Sequence, residues 1–237
     1  MKKIPFCSLT LGAALAMAFA GTASAGVINF SSGFLGSSSI TYGASETFAG
    51  TGLTATAVIQ PAWTVSTGAC TAGDPCVYYK YSGVGSSETG LGLTPGTSNE
   101  INYPDGIALT ADGNSISSLQ LGSVQSTESW DVQGCSMTFT GCTTLGMGVG
   151  GTMGTHASGV AETTYGSVLT LSGLGMYGSY VVSVPCAIGS NSCGTTVGGG
   201  DNILIMSVTT VPEPGTLALM AAGLLGLGWM LRRRRTL

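Results

Sequence analysis

Residues 53–59 read Leu53-Thr54-Ala55-Thr56-Ala57-Val58-Ile59, small or apolar side chains alternating with threonine over most of the run. A strand sends successive side chains to opposite faces, so a period of two suits a strand with one buried and one wetter side. The same alternation disfavours a helix, whose apolar stripe returns every three or four positions. Similar short runs recur along the chain at residues 76–81 (CVYYKY), 107–110, 116–121 (ISSLQL), 168–171, 180–184 and 203–209. Between them stand turn-forming clusters: Gly73-Asp74-Pro75, Pro95-Gly96, Asp105-Gly106, Asp112-Gly113-Asn114 and Gly198-Gly199-Gly200-Asp201-Asn202. Residues 26–210 sustain no helical stripe, and no repeat of fixed period argues for a solenoid. The expected body is therefore all-β, a β-sandwich or jelly-roll-like domain spanning residues 26–210.

The two ends read differently. Met1-Lys2-Lys3 is followed by an apolar run at residues 9–20 (LTLGAALAMAFA) and then by Ala23-Ser24-Ala25. A short positive segment, an apolar core and small residues make a secretory signal helix, with signal peptidase expected to cut between Ala25 and Gly26. At the other end Pro212-Glu213-Pro214 interrupts regular structure, and residues 216–231 (TLALMAAGLLGLGWML) carry no charge. As a helix this stretch reaches roughly 24 Å, enough to cross a bilayer with some thinning or snorkelling. Arg232, Arg233, Arg234 and Arg235 then form a stop that stays cytoplasmic, which places residues 26–210 on the far side of the membrane.

Val211-Pro212-Glu213-Pro214-Gly215-Thr216, the apolar helix and the arginine cluster together resemble the PEP-CTERM sorting signal of Gram-negative bacteria. The resemblance covers residues 211–237. It implies an inner-membrane precursor, held by its C-terminal helix and processed near Pro212, Glu213 and Pro214 by an exosortase, a membrane-embedded cysteine transpeptidase or protease. It implies delivery to the cell envelope or an exopolysaccharide matrix, with exopolysaccharide as a possible partner.

Export bears on the cysteines. Cys7 leaves with the signal, and the other six fall into three close pairs: Cys70 and Cys76, Cys135 and Cys142, Cys186 and Cys193. Six cysteines allow many connectivities, but this clustering in an oxidising compartment favours the three local disulfides. The spacings do not suit a zinc site, and neither a metal nor a cofactor is expected.

Charge excludes one class of partner. Only 8% of residues are charged, and residues 26–211 hold the single Lys80 against ten acids, a net charge of −9. Nucleic acid needs a basic face, and the body has none. Candidates for chemistry are sparse. His156 is the one histidine, and it reads as a polar loop residue because no nucleophile elbow accompanies it. Glu88, Glu100, Asp105, Glu128 and Asp131 read as solvated acids, with nothing to select a glycosidase pair. Asp105, Asp112 and Asp201 in Gly-rich turns could converge on calcium. Trp63, Trp130, Tyr78, Tyr79 and Tyr81 could stack against a sugar, although alternation sends Tyr79 and Tyr81 to one face and Tyr78 to the other. The expectation is a non-enzymatic structural or adhesive protein with no catalytic residues. A carbohydrate-binding module is the alternative, and a secreted hydrolase a further one.

Overall fold

Leu53–Ile59 forms a strand with the boundaries its alternation suggests, in a computed structural model that describes residues 26–95, 99–125, 128–185, 202–212, 222–224 and 226. In chain order the strands are β1 (Gly26–Asn29), β2 (Ile40–Gly43), β3 (Ser45–Phe48), β4 (Leu53–Ile59), β5 (Thr64–Val65), β6 (Cys76–Lys80), β7 (Gly90–Thr94) and β8 (Asp105–Ala111). They continue as β9 (Asn114–Gly122), β10 (Ser129–Cys135), β11 (Thr143–Val149), β12 (Thr155–His156), β13 (Ala161–Tyr165), β14 (Val168–Ser172), β15 (Ser179–Ser183) and β16 (Leu204–Pro212).

All pairings between these strands are antiparallel and make two sheets. One runs β13-β14-β9-β16-β7-β6-β2, with β1 also pairing β16; the other runs β12-β11-β10-β15-β8-β4-β3, with β5 on β4. Their inward faces share one core, so the body is a β-sandwich. Leu53, Ala55 and Ala57 of β4 point into that core. Thr54 and Thr56 point out and bond across the strand pair, Thr47 Oγ1 to Thr54 Oγ1 at 2.8 Å and Ser45 Oγ to Thr56 Oγ1 at 3.0 Å. Threonine therefore serves the wet face while alanine and leucine fill the dry one.

Among the described residues, Trp130 of β10 is the largest side chain with no exposure. It fits because the chain opposite it lacks side chains. A Cβ added at Gly148 would sit 3.1 Å from the indole, and one at Gly154 only 2.6 Å from it. On the outer face of the second sheet, Trp63 covers Val58, Ala108 and Val181 beside the Cys135–Cys142 disulfide. Its indole N–H donates to Gln133 Oε1 at 3.2 Å.

Cys70–Cys76 and Cys135–Cys142 are both bonded. The second closes the β10–β11 hairpin. Around the first, the Asp74 carboxylate accepts bonds from Ser66 Oγ and Thr67 Oγ1 and from the Thr67 and Ala69 amides. Those bonds hold its pKa well below the usual carboxylate range. Cys186 and Cys193 lie outside the described residues, as do the signal segment, Ala23, Ala25, Glu213, Pro214 and the four terminal arginines. Of residues 216–231 only 222–224 and 226 are described, and they are helical. Among the described residues no helix is long and apolar enough to cross a membrane.

Two expectations about the local chain need correction. Asp105-Gly106 is not a turn but the start of β8, where Gly106 leaves room for the Trp63 ring 3.1 Å from a Cβ it lacks. The run at 76–81 ends as a strand at Lys80, because the chain turns there into the β6–β7 hairpin.

Candidate functional site

β16 carries the chain towards its tail, and it is an interior strand. β9 pairs along one side of it, while β7 and then β1 pair along the other. The register with β9 continues through Val211 opposite Ser115 and Pro212 opposite Asn114. A proline is tolerated at the end of a strand, where its missing N–H is not needed by a neighbour. β1 lies antiparallel beside it, with Gly26 opposite Thr210, and Thr210 Oγ1 donates to the Gly26 carbonyl at 3.4 Å. Gly26 and the first proline of the motif thus sit at the same end of adjacent strands. Next to them is an open dent of about 260 Å³, lined in part by Ser115, Ser117, Leu174, Met176, Val211 and Pro212.

The arrangement defines a class, a two-sheet antiparallel β-sandwich whose interior strand β16 ends at Pro212. The particular segment follows from comparison: residues 210–235 match the family model of the PEP-CTERM protein-sorting motif. The chain carries that motif, which implies an extracellular protein sorted by an exosortase and processed at the membrane. No curated protein and no solved structure matches the chain.

Elsewhere the structure rearranges the candidates. His156 is not in a loop but in β12, where its Nε2 lies 2.7 Å from Glu162 Oε2. Glu162 also accepts from the Gly154 amide at 2.9 Å and from Thr164 Oγ1 at 2.8 Å. The His156 ring packs near Trp130, with centroids 6.1 Å apart. The pair ties β12 of one sheet to β13 of the other.

The acids are not all solvated. Glu100, Glu128 and Asp131 are buried, at 3%, 4% and 6% exposure. Each has a partner that makes burial tolerable. Lys80 donates to Glu100, the Gln125 amide to Glu128 at 2.6 Å, and Gln133 Nε2 to Asp131 at 2.5 Å. Asp105 and Asp112 sit at opposite ends of β8, roughly 20 Å apart along an extended chain, so they do not converge on calcium. Asp201 lies outside the described residues. Among the described residues no group of three metal-binding side chains comes together.

Trp63 and Trp130 are both buried and cannot present a sugar-stacking face. Tyr79 is buried with Tyr81 packed beside it, while Tyr78 faces outward on β6.

The cluster around Lys80 was missed in the sequence. Its Nζ donates to Glu88 Oε2 at 2.9 Å and also to Glu100 Oε1, and Ser123 Oγ donates to Glu88 Oε1 at 2.9 Å. Burial pushes the Glu100 carboxyl up to about 7, with the Lys80 bond opposing and the neighbouring Glu88 carboxyl reinforcing the shift. Burial works against ionising Glu88 too, but bonds from Lys80, Glu100 and Ser123 hold its pKa below the usual range. No local pattern links residues 80, 88, 100 and 123, and only the fold brings them together.

Burial also pushes both Asp105 and Asp131 up to about 6. A carboxyl with a raised folded pKa binds its proton more tightly in the native state. Its contribution to stability is then complete below the unfolded value near 4 and is lost as pH rises through about 6. For Asp131 the loss over the whole window is on the order of 3 kcal/mol, about half of it between pH 5 and pH 8. We therefore expect urea midpoints to be higher at pH 5 than at pH 8, and Asp131→Asn to shrink that difference. Equal midpoints for the wild type at the two pH values would contradict this.

Proposed function

We propose that the protein is a non-enzymatic structural or adhesive component of the cell envelope or exopolysaccharide matrix. Its β-sandwich is parked at the inner membrane by the C-terminal helix and freed when an exosortase processes the tail. Signal peptidase removes residues 1–25 after Ala25. The reading rests above all on β16, an interior strand that ends at Pro212 and whose last three residues already belong to the matched sorting motif. Processing beyond that point leaves the sandwich whole. Because β1 pairs with β16 at Gly26 and Thr210, both membrane-directed segments depart from one end of the domain. That end faces the membrane while the opposite end projects from it.

Charge limits what the body can hold in a matrix. The ammonium of Lys80 is already held by two carboxyls, so the acidic body offers no basic patch to a polyanion. Contact with an acidic polysaccharide then needs divalent bridging, and contact with a neutral glycan needs none. The test is retention of the exported protein on purified matrix polysaccharide, with and without chelator. Retention on a neutral glycan, or chelator-sensitive retention on an acidic one, supports the reading. Tight chelator-insensitive binding to a polyanion, weakening steeply with salt, overturns the charge argument.

A further inference from the structure

The Lys80 cluster lies on the outer face of the first sheet, at a patch where the strands lack side chains. Lys80 closes β6 opposite Gly90 of β7, and Tyr78 lies opposite Gly92. A Cβ at Gly92 would meet the Asn99 carbonyl at 2.3 Å and Glu100 Cα at 2.9 Å. A Cβ at Gly122 would meet the Ser87 carbonyl at 2.5 Å. These glycines let two loops lie directly on the sheet, one bringing Glu88 and the other Glu100 onto the Lys80 amine. Glu100 is almost fully buried, Lys80 retains about a fifth of its exposure, and Ser123 orients the far oxygen of Glu88. One amine thus sits between two carboxyls, one enclosed and one more open.

We propose that this cluster is a self-modification site, in which Lys80 Nζ and Glu100 Cδ join in an intramolecular amide bond with Glu88 as the proton carrier. Amines and carboxyls do not condense readily in water, because both are ionised and dilute. Dilution is overcome here, and the carboxyl is largely relieved of its charge, whereas the bonds to Glu88 and Glu100 favour the Lys80 ammonium, so loss of its proton to Glu88 is the slow step. The burial that raises the Glu100 pKa keeps a proton on its carboxyl near neutral pH, and the fold fixes amine and carboxyl in contact, where effective concentrations reach on the order of 10⁵ M or more.

The reaction starts from Lys80 as the ammonium, Glu88 as the carboxylate and Glu100 as the acid. Lys80 passes a proton to Glu88, and the free amine attacks Cδ of Glu100, forming the C–N bond. Glu88 returns that proton to the departing hydroxyl, the C–OH bond breaks and water leaves. Glu88 then takes the second proton lost by the nitrogen. The products are a neutral amide, one water and protonated Glu88. No oxidant, metal or second substrate is needed. The bond would lock the end of β6 to the segment after β7, a cross-link that persists after disulfide reduction. It depends on the folded cluster alone, and tail processing plays no part in it.

The sequence supplies the assay. Lys80 is the only basic residue between positions 26 and 211, so it is the only place trypsin can cut the body. The exported protein is reduced, alkylated, denatured and digested, and its intact mass is measured before digestion. The expected result is a body lighter by one water and uncut at Lys80–Tyr81. Lys80→Arg, which cannot form the amide, is cut there under the same conditions. Glu88→Gln leaves Lys80 and Glu100 in place but slows closure, so newly made protein accumulates in the heavier, cleavable form. A wild-type body of full mass that trypsin cuts after Lys80 would overturn the proposal, and that result needs no variant to fold.

Discussion

Changing Pro212, Glu213 and Pro214 together to alanine leaves the precursor in the inner membrane, with near-complete loss of the released form. Pro212 is the final residue of β16, and Glu213 and Pro214 follow it in the sequence. Alanine at 212 keeps the carbonyl and restores an N–H, so the pairing of β16 with β9 through Val211 and Ser115 survives. The variant body therefore folds, and the defect falls on recognition of the tail. Fractionation of cells followed by immunoblotting measures it. Release at the wild-type rate with an unchanged C-terminus would show that these three residues do not direct processing.

The second large effect is on stability. Trp130→Ala empties a fully buried site and costs about 3–5 kcal/mol. Domains of this kind have a total stability of about 5–15 kcal/mol, so the loss should be plain in urea unfolding. The glycines that accommodate the indole cannot refill the space, because Gly148 and Gly154 have no side chains to move into it. A loss below about 1 kcal/mol would mean that the indole is not part of the core. The same variant, if folded, should keep any glycan affinity the protein has, since Trp130 presents no surface.

Fold class was legible because β4, β9, β14 and β16 alternate or carry dense β-branched residues. β7 and β11 do not read as strands, and the reason is physical. Gly-Leu-Gly-Leu-Thr and Thr-Thr-Leu-Gly-Met-Gly-Val place glycine where a ring or another backbone presses on the sheet. Local sequence marks such positions as turns, because it does not contain the neighbour that makes glycine necessary. Asp105-Gly106 misled in the same way, with Trp63 as the hidden neighbour. The sorting tail was legible because it is read linearly, as a motif, an apolar helix and a basic stop. The Lys80 cluster was not, since its four residues come from the end of β6, two loops and the residue just after β9. His156 looked idle for a related reason: its partner Glu162 becomes a neighbour only when the chain crosses from one sheet to the other.

The central claim is that processing at both ends liberates an intact sandwich, and the mass of the mature extracellular species tests it most directly. The account predicts a chain that begins at Gly26 and ends beyond Pro212, with all of β16 retained and the arginine cluster gone, lighter by the water lost at Lys80. A mature C-terminus inside β16, or an extracellular species that still carries Arg232–Arg235, would contradict it.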